Sequence, residues 1–204
     1  MDLFPNLRLV DNDPNETPRV RHKLERLLEK MRILGSRDVS ITLHARPPNM
    51  NQAQFEERFV EGARKFCRMA AAHGARVHFR GENSSGVGGF DALKGLVARI
   101  GKSNCTMAPM LAMEIRRCGG NIKCSPRLFA KIDAPLWYLS SCTWDENRQA
   151  LSSAAPMAGG VVPDAVLIKN FKAIRTRSPR VVFDAVYPNL DAEYRDVSLW
   201  EKSK

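Results

Sequence analysis

Apolar and polar positions along this chain repeat one grammar: a short β-branched run, a polar tip, then a stretch with helical spacing. Residues 39–43 lead into His44-Ala45-Arg46, and residues 77–79 lead into Arg80-Gly81-Glu82-Asn83. Residues 136–139 run into Ser140-Ser141-Cys142 and then Asp145-Glu146-Asn147. Residues 181–186 carry Asp184 directly after Val181-Val182-Phe183. Residues 105–108 read as a further short strand and residues 7–10 as a weak one.

Between these runs, apolar residues recur at spacings of three and four, the period of a helix with one buried face. Thr17-Pro18 predicts a helix start, with Pro at the first helical position. Val20, Leu24, Leu27, Leu28, Met31 and Leu34 follow, and Gly35 is the predicted stop. A long helix is predicted over 52–72, with Phe55, Phe59, Ala63, Phe66 and Ala70 on one stripe. Shorter helices are predicted over 90–100, 110–117, 128–132, 165–174 (capped by Asp164) and 191–200. Residues 11–18 and 151–162 read as loops.

Strands alternating with helices predict an α/β fold, with parallel strands joined by helical crossovers. A doubly wound open sheet and a (β/α)-barrel both satisfy that order. A complete eight-stranded barrel takes about 250 residues. In a chain of 204 residues, the barrel reading therefore means a partial or truncated (β/α)-barrel. The expectation is a single α/β domain over 1–204, with a loosely structured segment over 1–17.

Charge adds one question. The formal net charge is +10, with the densest basic groups at Arg19-Arg21-Lys23-Arg26 and over residues 169–180. Neither group is interleaved with aromatics, so a solvated surface is the main reading and a nucleic-acid partner the alternative. The five cysteines form no CxxC, and the five residues between Cys118 and Cys124 fit no common zinc spacing. They read as reduced thiols. Met1-Asp2-Leu3-Phe4-Pro5 does not have the form of a signal peptide. No apolar run reaches the ~18 residues of a membrane span. The expectation is a soluble, cytoplasmic protein without a membrane partner.

Parallel α/β sheets place ligand chemistry just beyond the carboxyl ends of their strands, which selects the candidates. Glu82, past the second strand and before a glycine-rich loop, suits a general acid, a base or a nucleophile. Asp184, in an apolar strand, is costly there unless it has a partner. These two are the candidate catalytic pair. His44 and Arg46 at the first strand end, Arg80 at the second, and Trp144 with Asp145 after the fourth are candidate substrate-binding residues. His44 suits a base, and Arg46 and Arg80 suit bidentate binding of phosphate or carboxylate. Trp144 suits stacking on a sugar ring or a base. The loop Gly81–Gly89 precedes a helix but lacks the third glycine of a dinucleotide fingerprint, where Asp91 stands, and has no Gly-Lys-Ser/Thr. No metal-ligand cluster is recognisable.

The order of strand-end residues over about 36–200 resembles the C-terminal part of TIM-barrel proteins that act on carbohydrates. The carrying features are residues 39–46, 77–83, 104–111, 136–141 and 181–187. Resemblance to the glycoside-hydrolase-like barrels implies hydrolysis of glycosidic bonds with Glu82 and Asp184 or Asp145 as the paired carboxylates and no cofactor. This is the leading expectation. Resemblance to the xylose-isomerase-like sugar isomerases and epimerases implies a divalent metal held by His44, Glu82 and Asp184. A third reading is a degenerate, non-catalytic barrel fragment that binds an anionic partner such as nucleic acid.

Overall fold

The structure, a computed structural model, describes residues 16–81, 85–87, 89–120, 129–147, 149–151, 155–185 and 187–204. The expected weak strand at 7–10 and, in the glycine-rich loop, Glu82, Asn83, Ser84 and Gly88 lie outside the described residues. The chain forms two compact units, Met1–Ala108 and Pro109–Lys204.

In the first unit, helix α1 (Glu16–Ile33) precedes strand β1 (Asp38–Thr42). The helix begins at Glu16, so the expected loop over 11–18 ends earlier than its polar composition suggested. Leu24, Leu27, Leu28 and Met31 are buried, while Leu34 lies past the helix end and is exposed. Helix α2 (Gln52–Ala72) starts at a reciprocal cap: the Asn51 side chain accepts from Gln54 N, and the Gln54 side chain accepts from Asn51 N. That arrangement satisfies two amides that the first helical turn leaves without partners. The predicted stripe from Phe55 to Ala70 is buried as a whole. Strand β2 (Arg76–Arg80), helix α3 (Phe90–Ile100) and strand β3 (Cys105–Met107) complete the unit. Gly101, at φ +62°, closes α3 in the left-handed conformation that a side chain would oppose.

The sheet order is β1-β2-β3, all parallel. Asp38 is opposite Arg76, Ser40 opposite His78, Thr42 opposite Arg80, and His78 opposite Thr106. Side chains alternate across a strand, so these polar residues share one face. Val39, Ile41, Val77, Phe79, Cys105 and Met107 share the other. Phe79 meets Phe59 of α2 edge to face at 5.3 Å, which identifies the apolar face as the helix side.

The second unit carries helix α4 (Leu111–Arg117), strand β4 (Leu136–Leu139), strands β5 (Trp144–Asp145) and β6 (Ala150–Leu151), helix α5 (Asp164–Phe171), strand β7 (Arg180–Phe183) and helix α6 (Leu190–Glu201). β4 and β7 pair in parallel, and β5 and β6 form a small antiparallel hairpin. The hairpin replaces the start of the loop expected at 151. Its strands are two residues each, too short for an alternating pattern to show. Asp164 is the first residue of α5 and not its cap; that position belongs to Pro163. β7 ends at Phe183, three residues before the expected limit, and Val186 lies outside the described residues. The core here is aromatic. Phe129 stacks on Trp137 at 5.5 Å, and Phe171 meets Trp200 edge to face at 5.4 Å. Among the described residues, the five strands expected from the sequence all appear, in parallel pairs. No helix among them is long and apolar enough to cross a membrane.

Candidate functional site

In the first unit the carboxyl ends of β1 and β2 meet, because Leu43 N donates to Arg80 O at 2.9 Å. Backbone pairing therefore brings the His44 tip beside Gly81. The Arg80 side chain is buried on the polar face and donates through Nη2 to Thr42 Oγ1. Ser40 lies on the same face and is buried, and its hydroxyl has no hydrogen-bond partner among the described residues. A guanidinium and two hydroxyls are thus gathered on one buried face, towards the end of the strands where parallel sheets hold ligands. Arg46 is exposed, and its Nη1 donates to Met50 O within its own loop. That bond makes Arg46 a loop-closing residue four positions from its partner.

Further from the strand ends, the same face carries a second polar cluster. His78 is fully buried, with Nε2 2.8 Å from Asp38 Oδ1 and Nδ1 2.7 Å from Thr106 Oγ1. Arg76 Nε adds an ion pair to Asp38 Oδ1 at 3.0 Å. Both nitrogens of His78 are engaged, so this imidazole is a structural hub. The signal was present in the sequence: Asp38-x-Ser40-x-Thr42 and Arg76-x-His78-x-Arg80 alternate strictly. Strands buried on both faces usually read as continuous apolar runs. Alternation in a buried parallel sheet marks a polar interior.

In the second unit, Asp184 N donates to Leu139 O at 2.9 Å, which sets Asp184 at the carboxyl end of β7 beside Ser140. Asp184 is half-buried and directly follows the strand. Trp144 is 49% exposed and so belongs to the surface, where its ring is available. Asp145 Oδ1 accepts from Asn147 N at 3.0 Å and shapes the hairpin turn. Cys142, two residues past Ser140, is buried, and burial pushes its thiol up to about 11. It is therefore held as a neutral thiol and not as a nucleophile.

A second unforeseen cluster centres on Asp196 of α6, which is fully buried. It accepts from Met157 N at 2.8 Å, Ala158 N at 2.7 Å and Tyr187 Oη at 2.8 Å. Burial, with Asp196 beside it, pushes the Tyr187 phenol well above its ordinary range. The candidate residues thus fall into two groups: His44, Arg46 and Arg80 in the first unit, and Trp144, Asp145 and Asp184 in the second.

No family model and no curated protein matches this chain. Solved structures do. An IOLI protein with a bound zinc atom superposes with a TM-score of 0.69 at 10% identity, covering 96% of this chain and 71% of that one. A xylose isomerase-like TIM-barrel protein from Mycobacterium smegmatis in complex with magnesium gives 0.66 at 16% identity, covering 97% and 72%. The fold is that of a TIM barrel. D-psicose 3-epimerase from Clostridium cellulolyticum H10, with D-tagatose, is similar over 98% of this chain and 72% of its own, with a TM-score of 0.66 at 13% identity. The chain thus has the parallel strands and helical crossovers of a partial barrel. These likenesses favour the xylose-isomerase-like alternative, and they lend no support to the leading glycoside-hydrolase reading or to its two-carboxylate chemistry.

Two of these neighbours hold metals. Among the described residues, no group of three or more His, Cys, Asp or Glu side chains comes together to hold an ion. The nearest approach, His78 with Asp38, is occupied by Thr106 and by the cationic Arg76. A guanidinium 3.0 Å from the carboxylate opposes a second cation there. The His78–Asp38 pair does not fit a divalent metal, and Glu82 of the expected set His44, Glu82 and Asp184 lies outside the described residues.

Proposed function

We propose that this chain binds a small sugar at the carboxyl ends of its parallel strands and interconverts it in the manner of a sugar isomerase or epimerase. The observation that carries this reading is the buried Arg80 guanidinium on the polar sheet face with Thr42 and Ser40. Sugars and their enediolate intermediates present many oxygens, and a buried guanidinium supplies fixed donors for them. The barrel fold shared with an epimerase supports the same substrate class.

Isomerisation or epimerisation beside a carbonyl removes a C–H proton, leaves an enediolate, and returns the proton to carbon. Arg80 would stabilise the negative oxygen. Glu82, two residues beyond Arg80 in the chain, would carry the proton, with His44 at the neighbouring strand tip. Arg46 would shape the loop after β1 beside the ligand.

The test is proton exchange. Incubation with a panel of ketoses in D2O, followed by NMR, should show deuterium entering the carbon beside the carbonyl. Arg80→Met should remove that exchange while the protein stays folded. A folded wild-type protein that exchanges no sugar in the panel, and gives no saturation-transfer signal with any, would overturn the proposal.

A further inference from the structure

The second unit carries a cationic surface that sugar chemistry does not use. Lys169 lies in the last turn of α5, Arg180 opens β7, and Lys172, Arg175 and Arg177 lie between them. All five are exposed, and residues 169–180 contain no Asp or Glu. The segment is ordered by its backbone. Lys172 N donates to Ile168 O at 3.0 Å, Ile174 N to Phe171 O at 3.0 Å, and Arg180 N to Pro135 O at 2.9 Å. Thr176 is tied inward: its hydroxyl donates to Asp133 Oδ1 at 3.1 Å and accepts from Ala134 N at 3.1 Å. Arg175 and Arg177 flank that anchor on the exposed side. Phe171 is buried below.

Five exposed like charges within twelve residues repel each other, and a polyanion relieves that repulsion. The five cations are spread from the end of a helix to the start of a strand, so a chain of phosphates suits them better than a single small anion. Phe171 is buried and Ile174 half-buried, so the segment offers no apolar side chain for insertion into a bilayer. It exposes no aromatic ring on which unpaired bases could stack. We infer that residues 169–180 form a docking surface for a nucleic-acid duplex, bound through its phosphates and without sequence preference.

The experiment is fluorescence anisotropy of a short labelled DNA duplex with the full chain, across a salt series. Each phosphate contact contributes a slope of about −0.9 in log K against log salt, so four contacts weaken binding by about a hundredfold between 50 and 200 mM. The variant Lys172→Glu/Arg175→Glu/Arg177→Glu should bind at least about tenfold more weakly, with a flatter salt slope. Arg19→Glu/Arg26→Glu/Lys30→Glu on α1 makes the same change in net charge and should leave affinity nearly unchanged. All six side chains are exposed, and circular dichroism checks that both variants fold. No binding at 50 mM salt overturns the inference. Equal loss in both variants also overturns it, because total charge would then be the cause. Sedimentation with phosphatidylserine vesicles in the absence of duplex binding would replace it with a membrane surface.

Discussion

The ring of His78 reaches across from β2 to Asp38 on β1, with Nε2 2.8 Å from Oδ1 and forty positions between the two residues. Asp38 is the first residue of its strand and His78 the middle residue of its own. The bond therefore runs diagonally over the polar face. Ser40, which is directly opposite His78, keeps a hydroxyl that has no partner among the described residues. Thr106 holds the other ring nitrogen. Replacing His78 by Leu takes the ring from Thr106 and leaves Asp38 with Arg76. Removing one member of a charged, buried hydrogen bond costs about 2–3 kcal/mol. Urea unfolding of His78→Leu should show that loss, and Thr106→Val a smaller one of about 1 kcal/mol.

Asp196 is predicted to matter more than any exposed carboxylate. Asp196→Ala leaves the Met157 and Ala158 amides without their acceptor and should cost about 3 kcal/mol in unfolding free energy. Tyr187→Phe removes one bond to the same carboxylate and should cost about 1 kcal/mol. Equal effects of the two substitutions would contradict the arrangement.

The same pair sets an alkaline limit. Burial first, then Asp196, raises the folded-state pKa of Tyr187 above its ordinary 10.0. The unfolded chain then loses the phenolic proton before the folded one does. Tyr187 therefore contributes its full stability below about pH 10 and loses it progressively above that value. Denaturation midpoints at pH 8 and pH 11 should differ more in the wild type than in Tyr187→Phe.

Gly160 is needed for lack of space. A Cβ there would lie 2.2 Å from Ser141 Oγ and 2.5 Å from Ser141 Cβ. Both atoms belong to a side chain that is itself fully buried. Gly160→Ala should destabilise by about 1–3 kcal/mol, the usual range for overpacking. Combined with Ser141→Gly, it should recover part of that loss, a coupling that a double-mutant cycle reads directly.

For the proposed activity, Glu82→Gln should reduce sugar turnover at least about a hundredfold, as expected for a proton-transfer group. Thermal midpoints should move little. Full turnover in Glu82→Gln would remove it from the proposed mechanism.

Much of the fold was legible locally. The stripe from Phe55 to Ala70 and the glycines at 35 and 101 marked helices and their ends, because helical period and left-handed backbone are properties of a few consecutive residues. The β5–β6 hairpin was not legible, since two-residue strands show no period. Strand-end tips were found by position alone, which also gathered residues of differing use. Arg46 closes its own loop and Asp145 its own turn, whereas Arg80 faces the buried polar side.

By itself, the amino-acid sequence determined the alternation of strands and helices, the parallel class of sheet, and the places where strand ends would present polar groups. The tertiary structure alone decided which of those groups are buried together. Asp38 meets His78, and Thr42 meets Arg80, only because two parallel strands pair in one register. Asp196 meets Met157 and Ala158 only because α6 packs its buried side on a distant loop. Local periodicity reports which side of an element is buried, while register and packing choose the partner, and those depend on contacts between residues far apart in the chain.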